Sequence, residues 1–164
     1  MNPSNGGWLI ALTVFLGLIL SGLHLPEHWP QWLGWLRPAW VVLVLFFWVL
    51  EVPHRVGLIS AWAVGLLLDV LQADLLGLNG MVLAGVTYFT WKFNERIRMY
   101  SVLQQCSVVF AMVSGGELLR MLVQDFAFDR GFSWGPVSVA AVSAVLWPFV
   151  YLMLLKLRRQ FRVE

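Results

Sequence analysis

Residues 65–80 read GLLLDVLQADLLGLNG, two apolar runs that meet at a pair of aspartates among small residues. The first run ends at Leu66-Leu67-Leu68 and Asp69, and the second begins near Leu75-Leu76-Gly77. The short acidic link between them belongs at a membrane surface. An ionised Asp costs about 2.5 to 3.5 kcal/mol at the centre of a spanning helix, whereas a turn at the interface lets water solvate it. The stretch therefore predicts a hairpin of two membrane helices.

Composition extends that reading to the whole chain. Apolar residues make up 60% and charged residues 12%, with a mean hydropathy of +0.77; soluble domains run about 45 to 50% and 25%. At about 20 residues per span, 164 residues give five or six spans and no separate soluble domain. The expected fold is one all-α integral membrane domain over residues 1–164. The formal charge of +2 does not point to nucleic acid, because the basic residues lie at the ends of apolar runs rather than on one polar face. Cys106 is the single cysteine and sits in an apolar run, which excludes an intrachain disulfide and reads as a small core residue.

Working outward from the hairpin, spans are expected at about 8–23, 39–52, 56–69, 75–91, 102–123 and 136–155. Residues 1–7 carry no Lys or Arg and no convincing cleavage site follows, so the first span reads as retained rather than as a signal peptide. Residues 24–38 hold Pro26, Pro30 and Pro38 and space Trp29, Trp32 and Trp35 three apart, which suits a segment in the headgroup layer. Pro26 interrupts any helix that would align His24 with His28, so these read as solvated loop histidines rather than a metal pair. Pro38 suits the first turn of the second span. That span is short: fourteen residues rise about 21 Å against a core of ~30 Å, so it must use its flanks, distort the bilayer or be sheltered by neighbours. Pro53-His54-Arg55 makes a tight turn into the third span. In the fourth, Gly77, Gly80, Ala84 and Gly85 recur at spacings that let another helix backbone approach closely.

Charge sets the orientation. With both termini cytoplasmic, Arg55, Lys92, Arg96, Arg98, Lys156, Arg158, Arg159 and Arg162 lie inside, eight of the eleven bases. Glu27, Asp69, Asp74, Asp125 and Asp129 then lie outside with Arg37 and Arg130. Six spans satisfy this pattern; five would put the basic link and the basic tail on opposite sides.

Ionisable residues within or beside spans are the functional candidates: Glu51, Asp69, Asp74, Glu117 and Arg120. Asp69 and Asp74 fit a polar cap on the turn, with Asn79 joining the hydrogen bonding. Glu117 and Arg120 stand i,i+3 and can pair, either lining a groove or near the membrane edge. Glu51 can pair with Arg55, although Pro53 disturbs the register. There is no G-x-S-x-G elbow, P-loop, H-E-x-x-H or metal-spaced Cys/His pattern, so neither an enzyme nor a metal or cofactor is expected. The chain reads as a helix-packing, partner-binding device, or as a small-molecule binder with a cavity between its spans.

Particular residues carry a resemblance. Arg37-Pro38 with Trp40, Trp48-Val49-Leu50 followed by Pro53-His54-Arg55-Val56-Gly57, and Gly65-Leu66-Leu67-Leu68-Asp69-Val70-Leu71 with Leu75-Leu76-Gly77 resemble the MreD family of rod shape-determining proteins. Gln104-Gln105 and the ending Leu146-Trp147-Pro148 through Arg158-Arg159-Gln160-Phe161-Arg162 are similar to its proteobacterial form. The likeness runs nearly the whole chain in order. It implies an inner-membrane, multi-pass and non-catalytic component of the elongation complex that builds lateral peptidoglycan. Its implied direct partner is MreC, alongside MreB, the glycosyltransferase RodA and a class B penicillin-binding transpeptidase, within membrane lipid; self-association is open. It also implies six helices arranged like the substrate-binding subunits of energy-coupling-factor transporters, which makes a substrate-capturing transporter subunit the alternative. The partner-binding or structural candidates are Arg37, Pro53, Gly65, Asp69, Asp74, Gly77, Gly80, Gly85, Glu117 and Arg120. Glu51, Glu117 and Arg120 depart from the apolar or small residues that the family leads one to expect, so the resemblance assigns them no role.

Overall fold

One helix, α2 (Trp40–Glu51), is apolar around its whole circumference, and the rest of the bundle covers it. Val41 and every residue from 43 to 50 are buried, as a helix hydrophobic on all sides demands. The computed structural model describes residues 7–22, 37–128 and 135–161. Around α2 stand α1 (Gly7–Gly22), α3 (Leu58–Gln72), α4 (Leu78–Lys92), the short α5 (Asn94–Met99), α6 (Val102–Phe128) and α7 (Gly135–Phe161), and no strand occurs among the described residues. Two antiparallel pairs, α3 with α4 and α6 with α7, pack most closely; α2 touches α1, α4 and α7.

The twelve residues of α2 rise about 18 Å, well short of a ~30 Å hydrocarbon core. The neighbouring helices shelter it. Of the described helices, α6 over Val102–Phe126 and α7 over Val137–Phe161 are long and apolar enough to cross a membrane by themselves; Gly7–Gly22, Trp40–Glu51 and Leu58–Gln72 are apolar but shorter. Many large apolar side chains also stand on the outward faces. Phe15, Ile59, Leu103, Val145 and Phe149 are all exposed, where a water-soluble bundle would place charge.

Polar side chains clip the helices together. Trp48 Nε1–H of α2 donates to Thr13 Oγ1 of α1 at 2.8 Å, and Thr13 donates onward to the Leu9 carbonyl at 2.9 Å. Trp147 Nε1–H of α7 donates to Gln105 Oε1 of α6 at 3.2 Å, while the Gln105 amide donates to the Ile97 carbonyl at 3.3 Å. Ser143 of α7 accepts the Ala39 N–H just before α2 at 2.9 Å. Asn94 of α5 donates to the carbonyls of Val49 and Leu50 at 3.2 and 3.0 Å, groups that a helix C-terminus leaves without internal partners.

Several boundaries differ from expectation. The basic link at 92–100 contains a helix, α5, because buried Ile97 and the Asn94 contacts anchor one face while Glu95, Arg96 and Arg98 stay exposed. Helices α6 and α7 run past 123 and 155 to Phe128 and Phe161, since nothing there breaks a helix and Lys, Arg and Gln propagate it well. Glu51 meets Arg158 of α7 and the Tyr151 hydroxyl at 3.4 Å, in place of the expected Arg55. Pro53 ends the helical register there, and Arg55 N–H closes a turn onto the Val52 carbonyl at 3.1 Å. His24, Glu27, His28, Trp29, Trp32, Trp35, Asp129, Arg130 and Arg162, and the expectations built on them, lie outside the described residues.

The two ends of α2 have different chemistry. At its C-terminal end gather α5, the basic last turns of α7 and the start of α1, where Trp8 meets Phe161 edge-on at 5.4 Å. The basic link and the basic tail thus share one end. The corner between α3 and α4 lies at the other, beside Pro38 and Ala39.

Candidate functional site

The corner is built by two backbone devices. At the end of α3, Ala73 takes a left-handed conformation (φ 50°); its N–H returns to the Val70 carbonyl at 3.4 Å, and Asp74 N–H returns to the Asp69 carbonyl at 3.0 Å. This pattern of capping bonds reverses the chain. Gly77 (φ 95°) then opens α4, a conformation that costs an L-residue with a Cβ about 1–2 kcal/mol.

The reversal aims the Asp69 carboxylate at the start of α4. Oδ2 accepts the Gly77 N–H at 2.7 Å and Oδ1 accepts the Asn79 N–H at 2.9 Å. Asp69 is completely buried. The expectation that water solvates it is therefore corrected: the first-turn N–H groups of α4, at the positive end of its dipole, replace the water. Asp74, half-buried, accepts the Leu75 N–H at 2.9 Å and the Gln124 side-chain amide at 2.9 and 3.0 Å.

Close approach of α3 and α4 depends on Gly65. A Cβ there would lie 2.4 Å from Gly80 Cα and 2.5 Å from Gly80 N. Gly80 in turn faces Trp62, whose ring would lie 3.0 Å from a Cβ at that position. The small-residue stripe expected to receive a partner is thus divided. Gly65 and Gly80 are used within the chain, whereas Gly85 faces open space.

The corner is tied to α6. Asn79 donates through Nδ2 to Gln72 Oε1 at 3.3 Å and accepts Arg120 Nη2 on Oδ1; Arg120 Nη1 donates to Glu117 Oε1 at 3.0 Å. The Glu117 and Arg120 side chains are 16% and 21% exposed, so the pair is largely buried within the bundle. Asp69, Asn79, Arg120 and Glu117 form one chain of contacts, and Asp74 with Gln124 forms a second link between corner and α6. Pro53 lies elsewhere, in the turn between α2 and α3.

Two spaces flank this network. A polar chamber of about 250 Å³ is lined by Arg37, Gln72, Asn79, Glu117 and Arg120 together with the first turn of α2. An apolar groove of about 910 Å³ runs between α4 and α6, past Gly85, Phe89, Gln104, Ala111, Gly115 and Leu119. Among the described residues no three His, Cys, Asp or Glu side chains converge as a metal site would need.

Gln72, Gln124, Gln105, Ser143, Thr13 and Asn94 were not among the candidates. A lone polar residue inside an apolar run is the signal for Thr13, Gln105 and Ser143. Gln72 and Gln124 lie beside expected turns, where a polar residue needs no explanation.

A family model described as rod shape-determining protein MreD matches residues 3–157. The chain is also similar to the rod shape-determining protein MreD of Haemophilus influenzae (strain ATCC 51907 / DSM 11121 / KW20 / Rd). The two are 33% identical over 157 residues, covering 96% of this chain and 95% of that protein. No solved structure matches the chain significantly. With the family match spanning nearly every described helix, the chain belongs to the MreD family of rod shape-determining proteins.

Proposed function

We propose that the chain is a non-catalytic, multi-pass scaffold in the bacterial inner membrane that binds MreC and supports lateral peptidoglycan synthesis within the elongation complex. In this reading the six longer helices span the membrane with both termini cytoplasmic. The end of α2 that gathers α5 and the last turns of α7 faces the cytoplasm, where its bases attract anionic lipid or the cytoskeletal partner MreB. RodA and the class B transpeptidase join as further members of the complex.

The apolar groove between α4 and α6 carries the proposal. From Gln104 to Leu119 its α6 wall rises about 22 Å, most of a bilayer core. Gly85, Ala111 and Gly115 leave room for another helix backbone, the contact that membrane helices use in the absence of a hydrophobic driving force. A single spanning helix of MreC fits that form. Gly85 stays in the proposed interface, while Gly65 and Gly80 serve the corner itself.

The test is recovery of MreC with the tagged chain from native membranes. Gly115 lines the groove and has no atom within 4 Å of a Cβ, so Gly115→Leu puts its side chain into the groove, with an unchanged unfolding midpoint as the check that the bundle is intact. It should cut recovery at least tenfold, while Ile59→Trp on the exposed face of α3 leaves it unchanged; equal recovery from both refutes the assignment. The rival reading, a substrate-capturing transporter subunit, draws on the polar chamber. At about 250 Å³ that chamber falls below the ~300–1,000 Å³ of small-molecule sites. Recovery of an ATPase pair with a coupling subunit would favour it nonetheless.

A further inference from the structure

The two walls of the apolar groove meet along little of their length. Helices α3 and α4 pack closely, as do α6 and α7, but α4 touches α6 far less. Apolar packing does not fix that spacing, because lipid tails solvate an open groove as well as leucine does. The separation of the walls therefore rests on specific contacts, and these lie on one stripe of α6. Gly116, Arg120 and Gln124 recur at i, i+4 and i+8 and so share a face. Gly116 abuts Val82 of α4 on the groove floor, where a Cβ would lie 2.6 Å from Val82 Cγ1. One turn on, Arg120 Nη2 donates to Asn79 Oδ1. A further turn on, the Gln124 side-chain amide donates to both Asp74 carboxylate oxygens, at 3.0 and 2.9 Å.

Among the described residues, the strong ties between α4 and α6 gather at the corner end. Asp74 and Arg120 are charged, and hydrogen bonds with a charged partner are the stronger ones. Both are also braced: Glu117 Oε1 accepts Arg120 Nη1 at 3.0 Å, and Asp74 accepts the Leu75 N–H at 2.9 Å. Toward the other end the contact is weaker. Thr90 Oγ1 donates to the Val86 carbonyl at 2.7 Å within α4 and only approaches Met112 Sδ of α6, at 3.7 Å; a thioether is a poor acceptor. The groove is pinned at one end and loosely held at the other.

We propose that Arg120 and Gln124 are positioning residues for the groove: their ties to Asn79 and Asp74 hold α6 at the spacing from α4 that admits one helix backbone beside Gly85, Ala111 and Gly115. The inference rests on the reading of the groove as the partner's site and adds what sets its width. Neither side chain lines the groove; both act through α6. A wall free to move spends less time at the productive spacing, and apparent affinity falls with that fraction.

The experiment reads wall spacing and partner recovery separately, on the full-length protein. Nitroxide labels at Met81→Cys and Leu119→Cys, exposed positions on opposite walls, report the spacing by pulsed electron resonance in nanodiscs free of MreC, with Cys106→Ser as background. Recovery of MreC from native membranes is read on unlabelled protein. Gln124→Leu removes one tie while half-buried Asp74 keeps the Leu75 N–H. It should give a longer and broader distance distribution and cut recovery about fivefold, between the average and the largest values for hydrogen bonds between membrane helices. Gln124→Lys, which returns a donor to Asp74, should restore both readings. Glu117→Met with Arg120→Met removes the other tie and both charges together, so that neither is stranded, and should act in the same direction. Label distances unchanged in Gln124→Leu and in the paired variant overturn the proposal, as does full recovery from variants whose walls have separated while Gly115→Leu still blocks it. If Gly115→Leu leaves recovery intact, the fault lies with the placement of MreC, and the label distances alone decide the role of the ties.

Discussion

Substituting Gly65 by alanine tests the α3–α4 corner with one methyl group. The added Cβ would lie 2.4 Å from Gly80 Cα, 2.5 Å from Gly80 N and 2.7 Å from the Asn79 carbonyl carbon. Carbon atoms rest about 3.5–4.0 Å apart, so the two helices must separate by about 1 Å at their crossing. Overpacking of this kind costs about 1–3 kcal/mol. The displacement also draws the Asn79 N–H away from Asp69 Oδ1, now 2.9 Å, and a hydrogen bond to a charged group contributes about 1.5–3 kcal/mol. Alanine returns about 1 kcal/mol of helix propensity. The expected net loss is about 1.5–5 kcal/mol, read by denaturant titration of the purified protein in mixed micelles. Gly85→Ala is the control, because no atom lies within 4 Å of its Cβ; it should be neutral or stabilising by up to about 1 kcal/mol. A Gly65→Ala protein no less stable than Gly85→Ala would refute the close-contact argument.

Three further outcomes follow from the same geometry. Asp69→Asn keeps the shape of the side chain but replaces one acceptor with an amide facing a backbone N–H; a loss of about 2–4 kcal/mol is expected in the same titration, with faster amide exchange at Gly77 and Asn79. A Cβ at Gly116 would lie 2.6 Å from Val82 Cγ1, the end of a side chain rather than backbone, so Gly116→Ala should cost about 1–2 kcal/mol and Val82→Ala should recover most of it, giving a measurable coupling in a double-mutant cycle. Glu51→Gln breaks the Arg158 contact at a carboxylate 8% exposed; a loss of about 1–3 kcal/mol is expected, with increased protease cleavage near the C-terminus of α7.

The hairpin at 65–80 was legible because hydrophobic runs and turn residues are local signals. Asp69 also announced itself, but the sequence suggested water as its solvent. Its real partners are backbone N–H groups eight and ten residues later, placed there by the left-handed Ala73 and Gly77. That pairing depends on three-dimensional reversal, which composition does not encode. The stripe of small residues was visible too, yet nothing in the spacing distinguishes Gly80, consumed by α3, from Gly85, which faces open space. Glu51 found Arg158 more than a hundred residues away, whereas a one-dimensional reading offered nearby Arg55. Helix α5 escaped notice because six residues carry too little periodicity; Ile97 alone marks its buried side.

The groove between α4 and α6 is the central claim, and site-specific photocrosslinking in living cells tests it most directly. A photoreactive residue replaces Ala111 or Gly115 on the groove wall, or Ile59, which is 82% exposed on α3 and lies away from the groove. An MreC adduct from positions 111 and 115, with none from 59, is the expected result. Adducts from position 59 with none from 111 or 115, in cells where MreC still co-purifies, would contradict it and place the partner on the opposite face.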